Sequence, residues 1–133
     1  MNIALLLSPK VNTSYLYYDS TVRQGIEKFK AHGFTAVPVL DDGGFYVGTV
    51  SEGDFLRYIL SVGELSFKGM ETVRIRDIMV RDKNPPLGID ACIDELTQRL
   101  FNCNFVPITD ARGVYIGIVT RKSLLVHLGE KKA

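Results

Sequence analysis

The chain has 133 residues, 46% apolar and 23% charged, and a formal charge of +1, the balance of one ordinary globular domain. So small a net charge removes the global field that nucleic-acid binders carry, and no run approaches the roughly 18 apolar residues of a membrane-spanning helix. The apolar run Ile3 to Leu7 lacks a basic flank and a cleavage site, so it does not read as a secretory leader; with two cysteines and no Cys-x-x-Cys pair, the cytoplasm is the expected compartment.

In chain order, Ser20 or Thr21 is placed to cap a helix whose apolar face is Val22, Ile26 and Phe29 and whose end is Gly33. Strands follow at Ala36 to Leu40 and Phe45 to Val50, joined by the turn Asp41-Asp42-Gly43-Gly44. A second helix starts near Glu52 and runs apolar through Phe55, Leu56, Ile59 and Leu60. Ser61 to Gly69, with two glycines, reads as a connector. The grammar then returns. Asp90 caps a helix with Cys92, Leu96 and Leu100 on its buried face, closed at Asn102, with Cys103 expected on the same face as Cys92. Strands Phe105 to Thr109 and Val114 to Val119 flank Asp110-Ala111-Arg112-Gly113, and a last helix starts near Arg121.

The return is a true internal repeat. VPVLDDGGFYVGTVSEGDFL (37–56) aligns without a gap on VPITDARGVYIGIVTRKSLL (106–125), so that a constant offset of 69 pairs Pro38 with Pro107, Asp41 with Asp110, Gly44 with Gly113, Gly48 with Gly117 and Ser51 with Thr120. The expected organisation is repeat 1 over 1–62, connector over 63–69 and repeat 2 over 70–133. The fold class is α+β: two pseudo-twofold-related units, each a small sheet packed on two helices.

The repeated string Val-Pro-Val/Ile, Asp, Gly, Tyr-Val/Ile-Gly, Val-Ser/Thr resembles the CBS domain, and VRIRDIM (73–79) resembles the segment that opens a CBS unit. The resemblance covers nearly the whole chain as a CBS pair, or Bateman module. In so short a chain, GFTAVPVLD and IGIVTRKSLL narrow it toward the stand-alone CBS proteins of Gram-positive bacteria that sense cyclic di-AMP. It implies regulation rather than catalysis and a ligand bearing adenosine: AMP, ATP, S-adenosylmethionine or cyclic di-AMP. It also implies a regulated protein partner and sites whose halves come from opposite repeats.

The strand-to-helix turns suit that chemistry. A helix N-terminus offers free N–H groups and positive partial charge to phosphate. The turn at 117–123 keeps Thr120, gains Arg121 and Lys122, and has Ser123 where the family places an Asp. Its implied partner surface is Thr13, Ser14 and Tyr15 with Thr35 and Ala36, Tyr15 being a candidate base-stacking ring. The turn at 48–54 keeps Ser51 and Asp54 but carries Glu52. Its implied partner surface is Asn84 to Leu87 with Asn104 and Phe105. The basic turn is expected to favour phosphate, with Arg121 the main anchor, and the acidic turn a ribose. The open alternative is an interaction module with vestigial clefts, favoured by the loss of the second Asp.

No enzyme is expected, because no hydrolase or phosphate-loop string occurs and a catalytic Cys–His pair would need thiols on buried stripes. His32 and His127 stand apart from other metal ligands, so neither a metal nor a cofactor is expected. The last helix in each repeat is apolar over more than one face, Leu124, Leu125, Val126 and Leu128 in the second, which predicts a homodimer.

Overall fold

The computed structural model describes residues 2–33, 35–62, 67–81 and 83–132. In chain order the strands and helices are β1 (Ser8–Pro9), β2 (Leu16–Tyr17), α1 (Val22–His32), β3 (Ala36–Leu40), β4 (Tyr46–Ser51), α2 (Glu52–Val62), α3 (Phe67–Met70), α4 (Ile75–Ile78), β5 (Val80–Arg81), β6 (Leu87–Gly88), α5 (Ile93–Leu100), β7 (Phe105–Thr109), β8 (Tyr115–Thr120) and α6 (Arg121–Lys132). They fall into two units, a first of Ser14–Lys83 and a second of Met1–Thr13 with Asn84–Ala133.

The first unit carries a sheet ordered β2-β3-β4-β5, and the second a sheet ordered β6-β7-β8-β1. In each, the opening strand runs parallel to its neighbour and the other pairings are antiparallel. The hairpins correspond bond for bond. Asp41 Oδ1 accepts from the amides of Gly43 and Phe45, as Asp110 Oδ1 does from Arg112 and Val114. Gly44 and Gly113 hold φ of 84° and 89°, where a side chain would be strained. Burial pushes the Asp110 carboxyl up, but the Val114 amide and then Arg112 more than offset this and hold it below its ordinary range.

The units divide differently from the repeat boundaries 1–62, 63–69 and 70–133, because each sheet takes its edge strand from across them. Pro9 lies opposite Gly117, and Arg81 opposite Gly48. Ile3 and Leu6 thereby join the core of Leu87, Leu96, Leu100, Val106, Ile108, Val119 and Leu124. Met70, Ile75 and Met79 join Leu16, Val22, Phe29, Val37, Val39, Val50 and Phe55. Two-residue strands are too short to show a period of two. Of the expected connector, 63–66 lies outside the described residues, while α3 places Met70 in the first core.

Helix α1 starts and stops where its sequence says. Thr21 and Gln24 form a reciprocal capping box, and Gly33 closes it at φ 66°. Helix α5 corrects the sequence reading. Cys92, not Asp90, is the N-cap, with extended torsions and an exposed side chain. The buried face is therefore Leu96 and Leu100 with Ile93 packed against it. Cys103 lies beyond the helix end and is half-buried, so the two thiols do not share a helical stripe.

Candidate functional site

Both strand-to-helix turns are pinned by one backbone bond of the same kind. The Glu52 amide donates to the Thr35 carbonyl at 2.9 Å, and the Arg121 amide to the Asn104 carbonyl at 2.8 Å. The register sets Ala36 opposite Ser51 and Phe105 opposite Thr120. Within the first unit, Thr35 and Ala36 thus stand beside Ser51; within the second, Asn104 and Phe105 stand beside Thr120.

Beyond that bond the turns differ. In the first, Ser51 and Asp54 close a capping box. The Ser51 amide donates to Asp54 Oδ2 at 2.8 Å, the Ser51 hydroxyl to the same oxygen at 3.2 Å, and the Asp54 amide to Ser51 Oγ at 3.4 Å. Asp54 is 1% exposed, and its other oxygen accepts from Arg57. The carboxylate read from sequence as a ribose acceptor is already engaged by its own turn. Lys83 Nζ stands 3.4 Å from Ser51 Oγ, so two cations, Arg57 and Lys83, face a turn whose sequence alone reads as acidic.

In the second turn a hydroxyl pair replaces that box. Thr120 Oγ1 accepts from the Ser123 amide at 3.0 Å and lies 2.8 Å from the Ser123 hydroxyl. Arg121 does not face a ligand position as expected. Its Nε donates to the Leu100 carbonyl at 2.8 Å and its Nη2 to the Cys103 carbonyl at 3.2 Å, where it satisfies carbonyls at and just past the C-terminus of α5. Lys122 is exposed, which leaves it as the turn's solvent-facing cation. Thr13, also in this unit, bonds the hydroxyl of fully buried Tyr115 at 2.8 Å rather than the turn itself.

Ser14 and Tyr15 lie just before β2 in the first unit, and both are half-buried. Lys28 on α1 holds this segment, donating to the Tyr15 carbonyl with its ammonium 5.3 Å from the ring centre. Burial lowers the Lys28 pKa, and burial followed by the neighbouring Tyr17 raises that of Tyr15. Arg99 on α5 does the matching work in the second unit, donating to Asn84 Oδ1 at 2.7 Å and the Pro85 carbonyl at 2.6 Å. Asn84, at φ 58°, bonds the Phe105 carbonyl at 3.0 Å. Sequence reading missed Lys28, Arg99, Arg57 and Lys83. The helix caps Thr21 and Cys92 stand 71 residues apart, and at that spacing Lys28 falls on Arg99, a match that the repeat offset of 69 does not show. Among the described residues no cluster of His, Cys, Asp and Glu could hold a metal ion, and no helix is long and apolar enough to cross a membrane.

Residues 9–61 match the family model of the CBS domain. The cyclic di-AMP receptor B of Bacillus subtilis (strain 168) is 26% identical over 98 residues, which is 74% of this chain and 66%, just under two thirds, of that protein. A crystal structure of CbpB in complex with c-di-AMP superposes with a TM-score of 0.88 at 23% identity, covering 98% of this chain and 85% of that one. A CBS domain protein from Streptococcus pneumoniae TIGR4 superposes with a TM-score of 0.85 at 28% identity, covering 96% of this chain and 86% of that one.

Proposed function

We propose that this chain, which folds as a CBS domain pair, is a cytoplasmic regulatory module that binds an adenine nucleotide, cyclic di-AMP before AMP or ATP, and passes that state to a protein partner. The observation that carries the reading is the duplicated turn: a hydroxyl residue caps a helix straight after the sheet's inner strand in both units, at Ser51 and Thr120. Such a turn presents amides and a helix N-terminus to a phosphate. Likeness to a receptor for cyclic di-AMP supports the choice of ligand. On this reading Thr13, Thr120, Lys122 and Ser123 serve in the second unit, and Ser14, Tyr15, Thr35, Ala36 and Ser51 in the first, where Asp54 acts indirectly by holding Ser51 in its turn. Arg121 serves indirectly, by bracing the turn.

The module acts by binding and not by catalysis. A nucleotide that prefers one conformation shifts the pair toward it, and a partner that reads that conformation must change nucleotide affinity by the same factor. The protein is proposed to be a homodimer. Leu56 and Leu60 on α2 are 57% and 71% exposed, and Leu125 and Val126 on α6 are 60% and 52% exposed, apolar side chains that a second copy of the chain would cover. Light scattering at micromolar concentration should return twice the chain mass; a monomer ends that part of the proposal.

A second reading has its own observation. Asp54 and Arg121 are both committed to internal bonds, as expected of an interaction module whose ligand sites have lapsed. Calorimetry with cyclic di-AMP, AMP, ATP and S-adenosylmethionine separates the two. Saturable binding of an adenine nucleotide supports the sensor; heats of dilution throughout support the interaction module.

A further inference from the structure

One side of α6 faces the segment Leu5 to Ser8 across a pocket of about 400 Å³ inside the second unit. Its walls are unlike at their two ends. Lys122 and Ser123 stand at the helix start, His127 one turn on, and Glu130 near the far end. At 1.5 Å per residue, Lys122 and Glu130 are separated along the axis by about 12 Å. The acid therefore does not neutralise the cation, and the near end of the pocket is net positive.

His127 is the anomaly. Its Nε2 is buried and has no hydrogen-bond partner among the described residues. Buried polar atoms are nearly always paired, and each exception calls for a reason. Core packing does not supply one, because the α6 residue that packs into the core is Leu124 and His127 lines the pocket. The corresponding pocket of the first unit is lined instead by Asp54, Arg57, Tyr58 and Asp77, with a volume of about 220 Å³. At the repeat offset of 69, Asp54 becomes Ser123 and Tyr58 becomes His127. A carboxylate is lost and an imidazole gained at the same two positions, so the larger pocket lacks, beside Lys122, the carboxylate that lines the smaller one.

We infer that His127 is a ligand-binding residue: its Nε2–H donates to a phosphoryl oxygen of the nucleotide, beside Lys122 and the Ser123 hydroxyl. Neutral imidazole carries one N–H, so Nε2 can be the donor, and a hydrogen bond to an anionic oxygen is among the stronger kind. Ser123 and His127, four residues apart, lie on one face of the helix and can meet the same group. The inference rests on the proposed nucleotide binding and assigns one side of its phosphate recognition.

The test is calorimetry of the full chain and of His127→Leu and His127→Gln with cyclic di-AMP, AMP and adenosine. Gln places an amide N–H near the position of Nε2, whereas Leu has no donor. The expected result is a loss of tenfold or more for the phosphorylated ligands in the Leu variant, recovery to within about threefold in the Gln variant, and adenosine binding alike in all three. Leu binding the phosphorylated ligands as tightly as wild type overturns the inference, as does an equal loss for adenosine, which would mark a packing role. Nitrogen NMR of the unmodified protein covers the case in which the variants do not fold. With two histidines in the chain, ligand must move the Nε2 resonance of His127 and leave that of His32 in place; an unmoved His127 signal in protein shown to bind ligand refutes the assignment. If wild type binds no adenine nucleotide, the proposed function itself has failed, a result distinct from the others.

Discussion

The turns after β4 and β8 share a backbone and differ in what their side chains are committed to. After β4, a carboxylate and a serine close on each other and on Arg57, so that Asp54 is buried and engaged. After β8, the acid has become Ser123, the hydroxyls of residues 120 and 123 meet each other, and the cation next in sequence is drawn back onto α5. Duplication preserved the frame and changed the charge. Both turns cap their own helices; on the proposed reading the one without a carboxylate and with an exposed lysine is the better receptor for phosphate.

The largest expected effect concerns the frame on which the second turn rests. Gly117 adopts φ 152°, and a methyl group there would lie 2.1 Å from the Ser8 carbonyl oxygen. Gly117→Ala should push β1 off the sheet and lower stability by about 2–4 kcal/mol in urea unfolding, the size typical of strained backbone combined with lost packing. An unchanged midpoint would mean that the edge pairing contributes little.

Next comes the closed turn. Asp54→Ala removes the capping partner of Ser51 and leaves a half-buried amide without its acceptor, so a loss of about 2 kcal/mol is expected, with little change in affinity for a phosphorylated ligand. A tenfold weaker ligand with unchanged stability would reverse the roles given to the two turns. Arg121→Ala should cost about 1 kcal/mol by freeing the carbonyls of Leu100 and Cys103. If it weakens nucleotide binding by more than tenfold with no loss of stability, the guanidinium contacts ligand after all.

Ser123→Asp sharpens the comparison most cleanly, because the effects should run in opposite directions. The acid completes the capping box with Thr120 and adds about 0.5–1 kcal/mol of stability, while its charge lowers the affinity for phosphate. Both quantities falling together would contradict the equivalence of the turns. The smallest effect is one of pH. The Asp110 carboxyl sits below its ordinary range in the folded state, so its contribution is present above the unfolded value of about 3.9 and fades as pH falls through the folded one. Asp110→Asn should flatten the acid limb of the stability curve slightly; an identical limb would show that these bonds form in the unfolded chain too.

Where the chain repeats itself, the sequence was informative: the hairpins, the caps at Thr21 and Gly33, and both strand-to-helix turns stand where the residues place them. Three things were hidden for physical reasons. Edge strands of two residues have no visible period, so the membership of 1–13 and 63–83 could not be read. Cys92 falls at helical spacing with Leu96 and Leu100, but it is the N-cap of α5, and its side chain is exposed. Arg121 sits in a favourable place for an anion, yet the carbonyls at the end of α5 lie within reach of its fork and hold it first. Sequence gives a residue's position along the helix; it does not give which of two nearby acceptors a long side chain meets.

The central proposal is that phosphate goes to the turn with the uncharged hydroxyl pair and the exposed lysine, and the most direct measurement is an amide NMR titration of the assigned protein with cyclic di-AMP. The account predicts that the amides of Thr120 to Ser123 shift first and furthest, at ligand concentrations that leave Ser51 to Asp54 nearly still. Shifts led by Ser51 to Asp54, or no shifts in either turn at millimolar ligand, would contradict it.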